Sequence, residues 1–313
     1  MSLTKILETP GNQLRPFLKQ MFPGMHHALK EGRNEIADAK TIAQARKLPW
    51  TLLGTAIDYR VRYYFEPTNS RNLTAYIGAC ATADCYTRDE QCLPGLAIEW
   101  PSPTLVEEFF DNVDTVIKQL QPMKRRLERD EEELLDQYCL ILALFEEVYR
   151  GSEYALYTTP LLGQPKRSID ELMQLAPPVC VRDLRRMSYA FWEEFHKVIQ
   201  SYTNVVLSPS FDGSRDIGGA DGDLILNDSL IDIKSSIKTN LPIQWLYQVL
   251  GYALLDYSDS YGIRSVGFYM TRQRRMLRWS MEELTVPARG YAPASIEEIR
   301  SQFESLVKAT KYT

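Results

Sequence analysis

Asp223, Asp232 and Lys234 lie in the stretch Asp223-Leu-Ile-Leu-Asn-Asp-Ser-Leu-Ile-Asp232-Ile-Lys234, where Asn227-Asp228 separates two apolar runs. Such a two-residue break predicts a β-hairpin with a type I′ turn, and that turn sets the register. Leu226 then faces Ser229, Ile225 faces Leu230, Leu224 faces Ile231, and Asp223 faces Asp232. Opposed residues share a face of the sheet with Cβ atoms about 4.5–5.5 Å apart. Lys234 returns to that face, while Leu224, Leu226, Ile231 and Ile233 take the other, expected to be the core side. Two carboxylates held so close repel unless a cation or a proton intervenes. Mg²⁺ suits them, because it accepts carboxylate oxygens in a shell of about 2.0–2.1 Å, keeps waters and takes phosphate oxygens. Mn²⁺ is the other candidate, and the backbone carbonyl of Ile233 offers a further ligand. Lys234 is left to orient or deprotonate an attacking water, or to offset charge building on a phosphate. The chemistry would be metal-assisted hydrolysis of a phosphodiester. The plain alternative is a hairpin in which Lys234 neutralises an aspartate.

The following segment, from Leu241 to Asp256, has Pro242 near a helix start and continues strongly apolar, which predicts a buried helix. Gln244, Gln248 and Tyr252 fall four apart on it and form one polar stripe. An unpaired buried amide or hydroxyl costs about 1–3 kcal/mol, so this stripe should face something polar.

Asp223 ahead of a hydrophobic strand, Asp232-Ile-Lys234 on the next, and Gln248-Val-Leu-Gly-Tyr252 on the helix after it together resemble the PD-(D/E)XK nuclease superfamily, in particular its RecB-like branch with a Q-x-x-x-Y motif. The resemblance implies an α/β (α+β) fold with a restriction-endonuclease-like core, a central mixed sheet flanked by helices. It implies a Mg²⁺- or Mn²⁺-dependent nuclease with DNA as the expected substrate, in repair, restriction or defence against mobile elements. Asp223, Asp232, Lys234, Gln248 and Tyr252 would be its catalytic residues, with Gln248 and Tyr252 bordering the site and holding either the nucleic-acid strand or the lysine. A module that keeps this fold and binds nucleic acid without cutting is the alternative. A third reading is a helical protein whose carboxylates form an inert ion-pair network.

The same branch carries an upstream Gly followed by a His near the metal. The segment Leu53-Gly54-Thr-Ala-Ile-Asp58 is similar but has Asp58 at the His position. Asp58, Asp221, and Glu193 or Glu194 remain open as the acid completing the site, each against a reading as turn or solvated helix face. Five cysteines, Cys80, Cys85, Cys92, Cys139 and Cys180, include no C-x-x-C spacing, and none follows Lys234. Iron-sulfur relatives place three cysteines after the core, so no iron-sulfur cluster is expected. The absence of a recognisable signal peptide adds to an expectation of free thiols in the cytoplasm. Only three histidines occur, and there is no HExxH, P-loop or dinucleotide fingerprint.

A formal net charge of −5 over 313 residues argues against coating a duplex by electrostatics alone, so phosphate contacts must come from local basic clusters. The candidates are Lys124-Arg125-Arg126, then Arg182, Arg185 and Arg186, and above all Arg272, Arg274, Arg275 and Arg278 beside a later strand. No run reaches membrane-spanning length. A protein partner or a homo-oligomer is left unassigned.

Periodicity predicts helices near Asn34–Leu48, Trp50–Phe65, Thr104–Leu120 and Asp130–Tyr149, a Pro-rich connection from Pro160 to Pro178, and a helix over 182–200. A strand near Asn204–Leu207, the hairpin, the Gln/Tyr helix, two strands up to Met281 and a closing helix from Ser295 to Ala309 complete the order. Ser295-Ile-Glu-Glu298 reads as a capping box. These elements divide the chain into a mostly helical region, 1–180, and a nuclease-like core, 181–313, with the helix over 50–65 as a candidate to pack on that core.

Overall fold

The computed structural model describes residues 3–43, 48–92, 100–151, 158–163, 167–286 and 294–310. It is a mixed α/β structure, and the chain separates into two compact units. One combines Met1–Ile42 with Lys197–Thr313, and the other is Ala43–His196.

The second unit is helical among its described residues. It contains α4 (Trp50–Arg62), α5 (Thr74–Cys92), α6 (Pro103–Leu120), α7 (Arg129–Arg150), α8 (Ile169–Met173) and most of α9 (Pro178–Ile199). Local chemistry sets the ends of these helices. Ser102 accepts from the Leu105 amide at 3.2 Å with Pro103 in the first turn, which satisfies a donor that the helix itself cannot. At the start of α7 the Glu131 carboxylate reaches back and accepts from the Glu128 amide at 2.8 Å. α5 packs on α7 where Gly78 leaves room: a Cβ there would lie 1.8 Å from the Phe145 carbonyl oxygen.

The first unit is built on a five-stranded sheet in the order β1 (Val205–Leu207), β2 (Leu224–Leu226), β3 (Ser229–Lys234), β4 (Ser265–Met270), β5 (Arg275–Ser280). Its pairs are antiparallel except β3–β4, which is parallel and joined by α10 (Ile243–Leu254). A parallel pair needs such a crossover. The helices α1 (Leu3–Glu8), α2 (Leu14–Met21), α3 (Met25–Ala37), α11 (Met281–Thr285) and α12 (Ile296–Thr310) belong to the same unit. Ser295 and Glu298 make the expected capping box, at 3.2 and 3.0 Å.

The hairpin register is as the spacing predicts: Leu224↔Ile231, Ile225↔Leu230, Leu226↔Ser229. The turn type is different. Asn227 has φ 56° and is the only one of the two central residues with positive φ, the φ signature of a II′ rather than a I′ turn. Asn227 tolerates that conformation, and its Oδ1 accepts from the amides of Thr203 and Asn204 at 3.0 and 3.2 Å.

The expectation that core and chemistry occupy opposite faces is corrected. Ile225 and Leu230 belong to one hydrophobic cluster with Leu246 and Leu250 of α10 and with Val266 and Phe268 of β4, and by alternation they share the face of Asp232 and Lys234. The crossover helix covers that face, so the carboxylates sit at the margin of the main core. Leu224, Leu226 and Ile231 are buried as well, as expected for a sheet with a parallel pair at its centre.

Further expectations change. The helix expected over Asn34–Leu48 is found only to Ala37, where α3 ends; Ile42 donates its amide to the Arg272 carbonyl at 2.8 Å, and residues 44–47 lie outside the described residues. The linear division at residue 180 gives way to a discontinuous one, because α1 packs on α10, where a Cβ on Gly251 would lie 2.7 Å from Leu3. The helix over 50–65, a candidate to pack on the core, is found as α4 of the helical unit and packs on α7.

Candidate active site

Lys234 ends β3, where its side chain keeps 18% of its surface and that of Asp232 keeps 9%. The ammonium lies 2.5 Å from Asp232 Oδ2 and donates to Gln248 Oε1 at 3.3 Å. Gln248 Nε2 in turn donates to the Tyr252 hydroxyl at 3.1 Å. Helical spacing explains the chain of contacts: residues four apart on α10 stack on one side, and that side lies over β3. Trp245, one turn before Gln248, sets its ring 5.3 Å from the ammonium and meets Phe268 edge-on at 6.1 Å. The Tyr252 ring stacks on Phe211 at 6.3 Å.

Asp223 stands just before β2, and its Oδ2 accepts from the Ile233 amide at 2.7 Å. That bond carries the carboxylate to the strand between Asp232 and Lys234, while the strand pairing itself stops at Leu224↔Ile231 and does not include the expected Asp223↔Asp232 pair. Burial alone would discharge Lys234, but contact with Asp232, helped by the fields of Asp223 and Tyr252, outweighs it and raises its pKa above the ordinary lysine value. Burial also raises Tyr252, against the hydrogen bond from Gln248, so it remains a neutral hydroxyl.

Asp223 and Asp232 are the residues able to hold a divalent cation here. Two hard carboxylates, Asp223 half-buried and Asp232 buried, suit Mg²⁺ or Mn²⁺, which need only one or two protein carboxylates and fill the shell with waters and phosphate oxygens. Ile233 stands between Asp232 and Lys234 on β3, its amide committed to Asp223. Among the described residues no group of three or more His, Cys, Asp or Glu side chains is placed to hold a metal. The other acids weighed for this role have partners elsewhere. Asp58 lies in the helical unit, joined to Arg62, with burial raising its pKa against that pairing. Glu193 is exposed and 3.5 Å from Arg126, and Glu194 is exposed on α9. Asp221 is exposed and bridges to Ser210. Gln244, expected on the polar stripe, is exposed and borders a shallow hollow with Glu8 and Arg15.

The basic clusters are rearranged as well. Arg272 is fully buried, and its Nε donates to the Ser235 carbonyl at 2.8 Å. Its assignment to nucleic-acid contact is therefore corrected: the β4–β5 turn takes the guanidinium inward to satisfy a loop carbonyl. Arg274 adopts left-handed backbone at φ 58°, and Arg275 opens β5, half-buried, with Nη1 on the Arg274 carbonyl at 3.1 Å. In the helical unit Arg125 pairs with Glu131 and Arg185 with Glu133.

Trp245, Thr271 and Gln273 escaped the sequence reading. Their signal is tertiary: an aromatic three residues before Gln248 is ordinary core spacing, and nothing local marks a turn that folds back onto Lys234. Cys80, Cys85, Cys139 and Cys180 are free thiols in the helical unit. No helix among the described residues is long and apolar enough to cross a membrane. Comparison of the chain with protein-family models, with curated proteins and with solved structures finds no match.

Proposed function

We propose that the sheet unit is a restriction-endonuclease-like core that hydrolyses phosphodiester bonds, with DNA as substrate and Mg²⁺ or Mn²⁺ as cofactor. The observation that carries this reading is the junction of Asp223, Asp232 and Lys234 at one sheet margin, closed from above by the Gln248–Tyr252 pair. The order of three antiparallel strands, a helix and a parallel fourth strand supports it. A divalent cation held by Asp223 and Asp232 supplies positive charge to phosphate oxygens and acidifies water.

The chain's own residues do the rest. Gln248 and Trp245 hold the Lys234 ammonium within a few ångströms of the carboxylates, where its N–H groups can donate to a phosphate oxygen or to the attacking water. Tyr252 fixes the Gln248 amide so that its oxygen, not its nitrogen, faces the lysine. Ile233 fixes the Asp223 carboxylate through its amide. Preorganised charge of this kind is worth about 10²–10³ in rate per donor.

Incubation with linear, circular and single-stranded DNA and with RNA, with and without Mg²⁺ or Mn²⁺, tests the reading. Metal-dependent cleavage of DNA is expected, abolished by Asp223→Asn or Asp232→Asn and reduced at least about 10²-fold by Lys234→Ala. Equal cleavage by the wild type and Lys234→Ala would dismiss the assigned site. The direct Asp232–Lys234 contact favours one second reading, a site closed on its own ion pair that binds nucleic acid without cutting. Binding without cleavage in either metal would establish it.

A further inference from the structure

The chain leaving β3 after Lys234 passes from half-buried at Ser235 and Ser236 to exposed at 237–240, yet its backbone is anchored from beneath. Thr271 gives its amide and its hydroxyl to the Lys234 carbonyl, at 3.0 and 3.3 Å. Arg272 Nε takes the Ser235 carbonyl at 2.8 Å. Gln273 Nε2 lies 3.2 Å from the carbonyls of both Ser236 and Ile237. Thr271, Arg272 and Gln273 are themselves fully buried, so consecutive residues of one turn take consecutive carbonyls of the loop. Above this anchor, residues 237–240 are exposed. Ile237 keeps 43% of its surface, and the Lys238 amide closes on Ser236 Oγ at 3.1 Å. Exposed loops are ordinarily mobile. One held by buried donors presents its side chains already ordered, which lowers the entropic cost of docking a ligand on it.

Lys238 follows Lys234 by four residues, which limits the separation of their Cα atoms to about 14 Å. A polyanion bound to a chain of net charge −5 has to be met by local cations. Arg272 is turned inward to the loop backbone, and Lys238 is the exposed cation that follows the site.

We propose that Ser236–Lys238 is a phosphate-contacting loop. The Lys238 ammonium and the Ser236 hydroxyl take backbone phosphate oxygens of the strand flanking the cleaved bond, and Ile237 lies against the adjoining sugar or base. The ligand's identity as a nucleic acid rests on the function proposed above.

The test measures binding of single-stranded and duplex oligonucleotides of mixed sequence to the full chain in Ca²⁺, over a salt series, on the Lys234→Ala background. Each phosphate contact contributes about 0.7–0.9 to the slope of log K against log salt. Lys238→Ala should lower the slope by that amount for every sequence tried, Lys238→Arg should restore it, and Lys118→Ala, an exposed lysine on α6 of the helical unit, should leave it unchanged. An unchanged slope in Lys238→Ala overturns the proposal, as does absence of binding at low salt. The two readings fail separately. Cleavage by the wild type with no slope change leaves the nuclease and removes the loop, whereas a slope change in a protein that never cuts leaves the loop and removes the nuclease.

Discussion

Arg60 has no solvent exposure and divides its charge between two acids of α7. Its Nε lies 3.1 Å from Asp136 Oδ1, it also pairs with Glu132, and the Tyr64 ring stands 4.4 Å from its guanidinium carbon. One buried cation facing two carboxylates leaves an excess charge that a low-dielectric interior does not tolerate. Burial, ahead of the opposing field of Arg60, pushes the Asp136 carboxyl well above its usual range. A carboxyl raised in this way keeps its proton in the folded chain at pH values where the unfolded chain has lost it. Its stabilising contribution is therefore complete below about pH 4 and is lost as pH rises through the folded-state value. Asp136→Asn preserves the shape without the titration. Urea unfolding should show it as stable as the wild type at neutral pH or more so, with a flatter fall of stability from pH 4 upward. Arg60→Met, which strands the acids, should cost about 3–5 kcal/mol. A loss of that size in Asp136→Asn would mean the fold uses the ionised carboxylate.

Elements with strong local signals are where the sequence places them. α6, α7 and α10 agree with their predicted spans to within two residues at most ends, because caps and apolar spacing act within a turn or two. The hairpin register follows from loop length alone and survives the change of turn type, since both primed turns join two strands with the same pairing. α3 is the contrary case. The apolar residues after Asn34 continue a helical pattern on paper, but a hydrogen bond from Ile42 to the β4–β5 turn draws the chain out of it, a partner over two hundred residues away. Close approach of α5 to α7 depends equally on tertiary context, since Gly78 is an unremarkable residue in a helical run. Gly78→Ala should destabilise the helical unit by about 1–3 kcal/mol or more, measured as a lowered urea midpoint with unchanged slope. Neutrality there would mean that the two helices separate without cost.

At the scale of the molecule, the sheet unit is discontinuous. Leu3, Leu14, Phe17 and Phe22 from the first helices share a core with Leu250 and Phe303, and α3 approaches β5 where Gly32 leaves 2.9 Å between a would-be Cβ and Trp279. Residues 197–313 alone would expose that apolar surface to water, at about 25 cal/mol per Å². Expressed alone, that fragment should be insoluble or lack a cooperative thermal transition, whereas the same fragment joined through a flexible linker to residues 1–42 should fold. A sharp melt from 197–313 by itself would show that the N-terminal helices are an accessory layer.

Length, composition and spacing determined the hairpin, its register, the helix that follows and the five side chains to be examined as a site, because each depends on neighbours close along the chain. Only the tertiary structure decided that core and chemistry share one face, that Arg272 turns inward while Lys238 stays exposed, and that the first 42 residues belong with the last 117. Those outcomes are set by which apolar surfaces cover one another and which buried carbonyls need donors. No local window of sequence contains both partners.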